Sequence, residues 1–309
     1  MQIYNKTTPT IKECVAVLGF FDGVHIGHRE LVKKAVAEGD KHSVPVCVYT
    51  FFEHPRNTLF PESPAKCIYT NDEKSSTFDE LGVDCLIYSD FSEVRYLSPS
   101  EFVETILVGK LGVKSVVCGY NFRFGKDNVG DIDTLKNLLA PYGVGLLVIP
   151  PVCAGNDTVS SGRIRTLIEN GNVDIARLLL EKPFSLEGEV CHGRRIGHSL
   201  GFPTANIKIS TDKPVPSNGV YFSKTFYDGK LYASVTNIGT RPTVRDGQTE
   251  SVCETYIIDF DGEIYGKTIR VDFYKLHRPE TRFDSLEALS EALKRDVECS
   301  ANYFKSEEV

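Results

Sequence analysis

The run Val15-Ala16-Val17-Leu18-Gly19-Phe20-Phe21-Asp22-Gly23-Val24-His25-Ile26-Gly27-His28 constrains the first half of the chain more than any other stretch. Its apolar opening reads as a buried strand. Gly19 breaks the strand and Asp22-Gly23 turns it. From Gly27 onward, Leu31, Val32, Ala35 and Val36 fall on one face of a helix. A strand that turns into a helix leaves the helix N-terminus open, and its unpaired N–H groups and dipole suit a phosphate. His25 and His28 stand at that junction. Imidazoles there either donate hydrogen bonds to phosphoryl oxygens or carry positive charge against them. A capped helix with surface histidines gives a similar pattern. The crowding of three glycines, one aspartate and two histidines into positions 19–28 favours a site, with Gly19, Asp22 and Gly23 as further phosphate-binding candidates. The spacing is not the dinucleotide glycine fingerprint, and no Gly-Lys-Ser/Thr follows. A dehydrogenase-type Rossmann domain and a P-loop therefore both lack support.

Strands then alternate with helices. Val44–Phe51, Val83–Tyr88, Lys114–Cys118 and Gly145–Ile149 are strand-like, and residues 72–82 and 131–139 are helical. Ser98-Pro99-Ser100-Glu101 is a helix start, with a serine cap, a first-position proline and a glutamate three residues on, and its helix runs to about Lys110. The pattern predicts a Rossmann-like α/β domain built on a parallel sheet, with ligands at the carboxyl edge of the strands. Two short helices over 160–182 are expected to complete this domain.

From about residue 183 the texture changes. Glu187–His192, Thr204–Ile207, Gly219–Phe226, Lys230–Asn237, Ser251–Asp259 and Thr268–Tyr274 are short alternating segments, and Asp261-Gly262 reads as a hairpin turn. They predict an antiparallel β-barrel over 183–309. A terminal helix, 285–304, follows, with Leu286, Leu289, Leu293, Val297 and Ala301 as its buried stripe.

Three loops of the first domain would converge on the sheet edge. They carry His25 and His28; Asn121, Phe122, Arg123 and Phe124; and Ser160, Ser161, Arg163 and Arg165. Serines at a helix start with arginines one turn on form a clamp for polyphosphate oxygens, although a plain serine cap gives the same pattern. No nucleophile–base pair stands out, which favours in-line displacement with electrostatic stabilisation. In the second domain Gly197-His198-Ser199-Leu200-Gly201-Phe202-Pro203-Thr204-Ala205-Asn206 is the densest feature. Gly197 and Gly201 allow close approach of backbone to phosphate, with Pro203 beside them. Thr204 and Asn206 share a strand face and can hold Mg²⁺ with phosphoryl oxygens. Glu254 is a carboxylate in an apolar strand. Partial burial would raise its pKa and suit it to accept a hydroxyl proton, whereas an outward-facing strand glutamate is the plain alternative.

Net charge is −7, which disfavours broad nucleic-acid binding. Nine cysteines without a CxxC pair read as free thiols rather than as a zinc site. No run approaches a membrane span and no signal pattern is evident, so a cytoplasmic protein without membrane or nucleic-acid partners is expected, as a monomer or weakly self-associating.

Over essentially its whole length the chain resembles the family of bifunctional bacterial riboflavin kinase/FMN adenylyltransferases, or FAD synthetases. The motifs that carry the likeness are Gly19–His28, Thr50–Pro55, Gly119–Asp131 and Val159–Arg165, then Gly197–Asn206, Gly219-Val220-Tyr221, Asn237–Thr243, Glu254 and Asp259–Gly266. The resemblance implies an HxGH nucleotidylyltransferase domain over 1–182 and a riboflavin kinase domain over 183–309. The barrel would phosphorylate riboflavin with ATP and Mg²⁺, with Thr204 and Asn206 at the metal–nucleotide and Glu254 as base. The first domain would transfer AMP from ATP to FMN, giving FAD and pyrophosphate. There His25 and His28 stabilise the ATP phosphates, Asn121 positions the nucleotide, and Ser161 and Arg165 belong to the phosphate loop, beside the candidate Ser160. Phe122, Arg123 and Phe124 are the flavin-binding candidates. Phe20, Phe52-Glu53, Asn128, Gly162 and Tyr256 depart from the residues usual in the family. A riboflavin kinase with a weak or inactive adenylyltransferase domain, or a non-catalytic flavin-binding regulator, are the alternative readings.

Overall fold

The apolar runs of the first half pair as parallel strands. β1 (Gln2–Asn5), β2 (Cys14–Leu18), β3 (Val46–Phe51), β4 (Cys85–Ser89), β5 (Val113–Gly119) and β6 (Gly145–Ile149) form one sheet in the order β1-β4-β3-β2-β5-β6. All five pairings are parallel. Every residue of β2 is buried, as a strand covered on both faces must be. This computed structural model describes residues 1–192, 201–242 and 249–307, which group into the units Met1–Ser161 and Gly162–Val309.

The helices of the first unit are α1 (Ile26–His42), α2 (Pro55–Leu59), α3 (Asn71–Glu80), α4 (Phe91–Val94), α5 (Pro99–Glu101) and α6 (Ile132–Leu139). The expected capping box forms at α5: Ser98 Oγ accepts from Glu101 N at 3.3 Å, and Glu101 Oε2 accepts from Ser98 N at 2.7 Å. The expected continuation to Lys110 takes π-helical form over Phe102–Lys110, and Leu111 N donates to Ile106 O at 2.9 Å. From β2 the chain builds outward to β3 and β4, then returns to place β5 and β6 on the other side. The switch between β2 and β5 opens a crevice at their carboxyl ends.

β6 is followed by a short antiparallel pair, β7 (Cys153–Ala154) and β8 (Asp157–Thr158). The second unit is a closed barrel in the order β10-β13-β12-β11-β14-β9. Its strands are β9 (Phe184–Cys191), β10 (Thr204–Ile207), β11 (Gly219–Tyr227), β12 (Lys230–Pro242), β13 (Thr249–Ile257) and β14 (Thr268–Arg278). The tight hairpin lies at Asp228-Gly229, where Tyr227 pairs with Lys230 and both loop residues have positive φ. The expected hairpin at Asp261-Gly262 does not form, because β13 and β14 pair with other strands. Inside the barrel, Ser223 Oγ lies 2.7 Å from Thr236 Oγ1, which donates to Thr255 Oγ1 at 2.8 Å. Thr225 and Ser234 make a second buried hydroxyl pair at 2.7 Å.

Two expectations change here. α7 (Ser161–Glu169) and α8 (Val173–Leu180) were expected to complete the first domain up to residue 182, yet they group with the barrel. α8 buries Val173, Ala176, Leu179 and Leu180 and packs against β9 and β14, the apolar surface it needs. On the terminal helix α9 (Leu286–Glu307), Leu286 is 57% exposed, and Leu289, Leu293, Val297 and Ala301 are only half-buried. The buried stripe is Ala292, Asp296, Ser300 and Phe304. Polar anchors rotate it. Asp296 accepts from Arg278 Nε at 3.0 Å and Nη2 at 2.8 Å, and Ser300 Oγ donates to Ser234 O at 3.1 Å.

Candidate functional site

In the first unit the β2–α1 junction is built from strained backbone. Phe21 and Val24 take positive φ of 58° and 39°, an uncommon state for bulky side chains and a mark of functional sites. Gly19 permits this turn to close, since a Cβ there would stand 2.8 Å from Phe21 Cζ. The Phe21 ring packs edge-on to His28 at 5.2 Å and to Phe78 at 5.5 Å. His25 caps α1: its Nδ1 accepts from His28 N at 3.4 Å. A neutral ring that accepts at Nδ1 carries its proton on Nε2 and can donate it. The two imidazoles stack with centroids 3.6 Å apart.

Burial decides their charge. It pulls the His25 pKa down to about 4 and holds His28 well below the ordinary range, with the charges of His25 and Lys74 adding to the effect at His28. Burial therefore favours both rings as neutral hydrogen-bonding groups near neutral pH over charged ones. His28 Nδ1 is buried and has no hydrogen-bond partner among the described residues. An orphaned buried ring nitrogen next to an open helix N-terminus is a ready contact for a ligand.

A cavity of about 480 Å³ opens at the carboxyl ends of β2, β3, β5 and β6. It brings together His25, His28 and Gly19 with Asn121, Phe122, Arg123 and Phe124, and with Ser160 and Ser161. The three predicted loops do converge. Phe122 and Phe124 stack at 5.7 Å, with Phe124 belonging to the core beneath the cavity. Arg123 is paired with Asp131 at 3.6 Å. Ser161 Oγ donates to Asp22 O at 2.9 Å and so ties its loop to the turn.

Asp22 has a different role from the one expected. It is 2% exposed, does not line the cavity, and its Oδ1 accepts from Ile68 N at 2.7 Å and Tyr69 N at 3.4 Å. Gly23 is likewise a buried turn residue with φ 79°, away from the cavity wall. Arg165 is half-buried on α7 in the second unit and is not among the cavity residues. Sequence reasoning missed Lys74 and Arg95. Arg95 lines the cavity, and Lys74 is buried against Phe20, which also lines it.

In the barrel, register does the assembly. Asn206 pairs with Glu254, and Glu254 pairs with Asn237 across the next strand. Neighbouring Ala205, Ile207, Cys253 and Thr255 are buried, so half-buried Asn206 and Glu254 face the other way, with Thr204 on the same side. Thr204 pairs with Tyr256, whose ring meets Phe202 edge-on at 5.3 Å. Asn237, which the sequence places at the end of a strand and names no role for, completes the row. Gly201 has φ 83° and Pro203 is exposed. Gly197 and Thr243 lie outside the described residues.

Residues 7–163 match the FAD synthetase family model, and residues 180–304 match the riboflavin kinase model. The chain is similar to a bifunctional riboflavin kinase/FMN adenylyltransferase of Bacillus subtilis, at 33% identity over 94% of this chain and 93% of the relative. It is similar to the protein of the same description from Pseudomonas fluorescens at 37% identity, over 94% and 92%. The chain belongs to the bifunctional riboflavin kinase/FMN adenylyltransferase family. A solved structure described as a macrolide-efflux protein from Streptococcus pneumoniae matches with a TM-score of 0.87 and 32% identity, over 98% of each chain. No helix among the described residues here is long and apolar enough to cross a membrane.

Within this family the departures can be placed. Phe20 and Asn128 line the cavity. Phe52 instead packs edge-on to Tyr88 at 6.0 Å, and Glu53 turns outward to Lys6 at 3.6 Å. Glu53 therefore supplies no carboxylate to the cavity.

Proposed function

We propose that this chain makes FAD in two steps at two sites, phosphorylating riboflavin to FMN in the barrel and transferring AMP from ATP to FMN in the α/β domain. The observation that carries the second step is the cavity in which the stacked neutral histidines, the α1 N-terminus, Asn121 and the Ser160-Ser161 loop meet. An FMN phosphate oxygen attacks the α-phosphorus of ATP, the Pα–O–Pβ bond breaks, and pyrophosphate leaves with its electrons. His25 Nε2–H and the first N–H groups of α1 offer hydrogen bonds to the phosphoryl oxygens on which charge builds. His28 extends that set. Phe122 and Phe124 offer a stacked aromatic wall to the isoalloxazine ring, with Arg123 lining the same cavity.

In the barrel the ribityl hydroxyl attacks the γ-phosphorus of ATP and ADP departs. Glu254 accepts the hydroxyl proton from its half-buried place beside Asn206 and Asn237. Thr204 and Asn206 offer hard oxygen donors on one face, a set that suits Mg²⁺ when phosphates and water complete its shell. That ion, when bound, supplies charge neutralisation on the phosphates. We place the enzyme in the cytoplasm as a monomer or weak self-associate acting on small flavins and ATP; its nine free cysteines fit a reducing compartment.

One assay tests both steps: riboflavin and ATP are supplied, and FMN and FAD are followed in time. Glu254→Gln is expected to abolish FMN formation and spare FAD formation from supplied FMN. His28→Ala is expected to do the reverse. Equal loss of both activities in either variant would refute the assignment of two separate sites.

A further inference from the structure

Two neutral imidazoles leave a deficit of charge. A nucleoside triphosphate carries several negative charges, and neither histidine is a cation near neutral pH. A buried cation stands behind them. Lys74, one turn into α3, is 1% exposed, and no hydrogen bond or ion pair to its ammonium occurs among the described residues. Nζ lies 4.2 Å from the centroid of the Phe20 ring, and that ring lines the cavity. Phe20 is fixed in place: Thr50 Oγ1 donates to its carbonyl at 3.0 Å, and its ring meets His54 at 4.5 Å.

The titratable groups facing the ammonium are Asp22 from the 3-10 turn, Cys67 from the segment before α3, and His28 from α1. Asp22 already serves two backbone amides, so it is a shared counter-charge. Burial lowers the Lys74 pKa, and the approach of Cys67 and Asp22 partly restores it. An ammonium held this way is costly, and an apolar side chain of similar shape would pack at less expense. The charge itself therefore needs a use, and the adjoining cavity provides one.

We propose that Lys74 is a positioning residue of the AMP-transfer site: its ammonium, seated against Phe20, supplies the positive potential that holds the pyrophosphate end of ATP at the His25–His28 helix terminus. It acts through the Phe20 ring and the histidine pair, not by touching the phosphates. The assignment rests on the AMP-transfer reading above. It gives Phe20 a purpose as well, since an aromatic face stabilises the cation it covers while walling the cavity.

The test uses the full chain and its Lys74→Met and Lys74→Gln variants. Inorganic pyrophosphate is titrated calorimetrically, FAD formation from FMN and ATP is measured, and FMN formation from riboflavin serves as the folding control. Both variants are expected to bind pyrophosphate about tenfold more weakly and to raise the KM for ATP in AMP transfer by a similar factor. That is within reach of one charge several Å away at an effective dielectric of about 20. Lys74→Met should melt no lower than the parent. Parent affinity should fall as pH rises through the lowered lysine pKa, and that fall should vanish in both variants. Unchanged pyrophosphate affinity in Lys74→Met, or an alkaline fall that persists in it, would overturn the assignment. A parent that binds pyrophosphate in a Lys74-dependent way but makes no FAD would sink the AMP-transfer reading and leave the charge assignment standing.

Discussion

Gly19→Ala probes how tightly the β2–α1 junction determines AMP transfer. A Cβ at Gly19 would stand 2.8 Å from Phe21 Cζ and 3.0 Å from Cε1, whereas ordinary contact begins near 3.4 Å. The ring must therefore move by about 0.6 Å, and it has little room to do so. Phe21 is 1% exposed, sits at positive φ, and is held edge-on between Phe78 and His28. Overpacking of this kind costs roughly 1–3 kcal/mol, or about 2–10 °C in melting temperature for a domain of this size. The functional effect should exceed the stability effect, because the displaced ring presses on His28, the imidazole proposed to meet the phosphates. A misplacement approaching 1 Å at a reacting centre costs up to about 10²-fold in rate. FAD formation from FMN is thus expected to fall by ten- to a hundredfold, while FMN formation from riboflavin holds. A Gly19→Ala enzyme that keeps full AMP transfer would refute the claim that Phe21 couples this turn to His28.

Two further outcomes are expected. His25 titrates at about 4 when folded and near 6.5 when unfolded, so between those values the unfolded chain binds the extra proton. Stability should therefore fall as pH drops from about 6.5 toward 4, by up to roughly 3 kcal/mol from this group, and His25→Gln should flatten the melting-temperature profile over that window. In the barrel, Asp296→Ala strips a buried carboxylate from Arg278 and from His277 Nε2, 3.3 Å from Oδ1. Urea unfolding should show a loss of about 3–5 kcal/mol.

Much of the architecture is legible in the sequence because it rests on apolar periodicity. The strands from Cys14 to Ile149 announce themselves by short runs rich in Val, Leu, Ile and Cys, and the barrel strands by alternation. β1 escapes notice because Gln2–Asn5 is only four residues long and largely exposed, and its identity comes from pairing with β4. The face of α9 is misjudged because Asp296 and Ser300 look like surface residues until Arg278 and the Ser234 carbonyl meet them. Site residues divide in the same way. His25, His28, Asn121 and Ser161 stand out by type and position. Asp22 has the same appearance, yet its carboxylate is spent on the Ile68 and Tyr69 amides. Lys74 is one lysine on a polar helix, and only tertiary packing shows that it is buried. The neutrality of the histidines is a property of burial and has no local signature.

The hydroxyl chain inside the barrel has an evolutionary consequence. Ser223, Thr236 and Thr255 come from three strands, and each hydrogen bond fixes which oxygen gives its proton and which receives it. Replacing one member by valine strands a buried donor or acceptor, while replacing all three can be nearly neutral. Positions 223, 236 and 255 are thus free to drift only as a set, and homologous barrels should carry either the whole relay or an apolar triplet in its place.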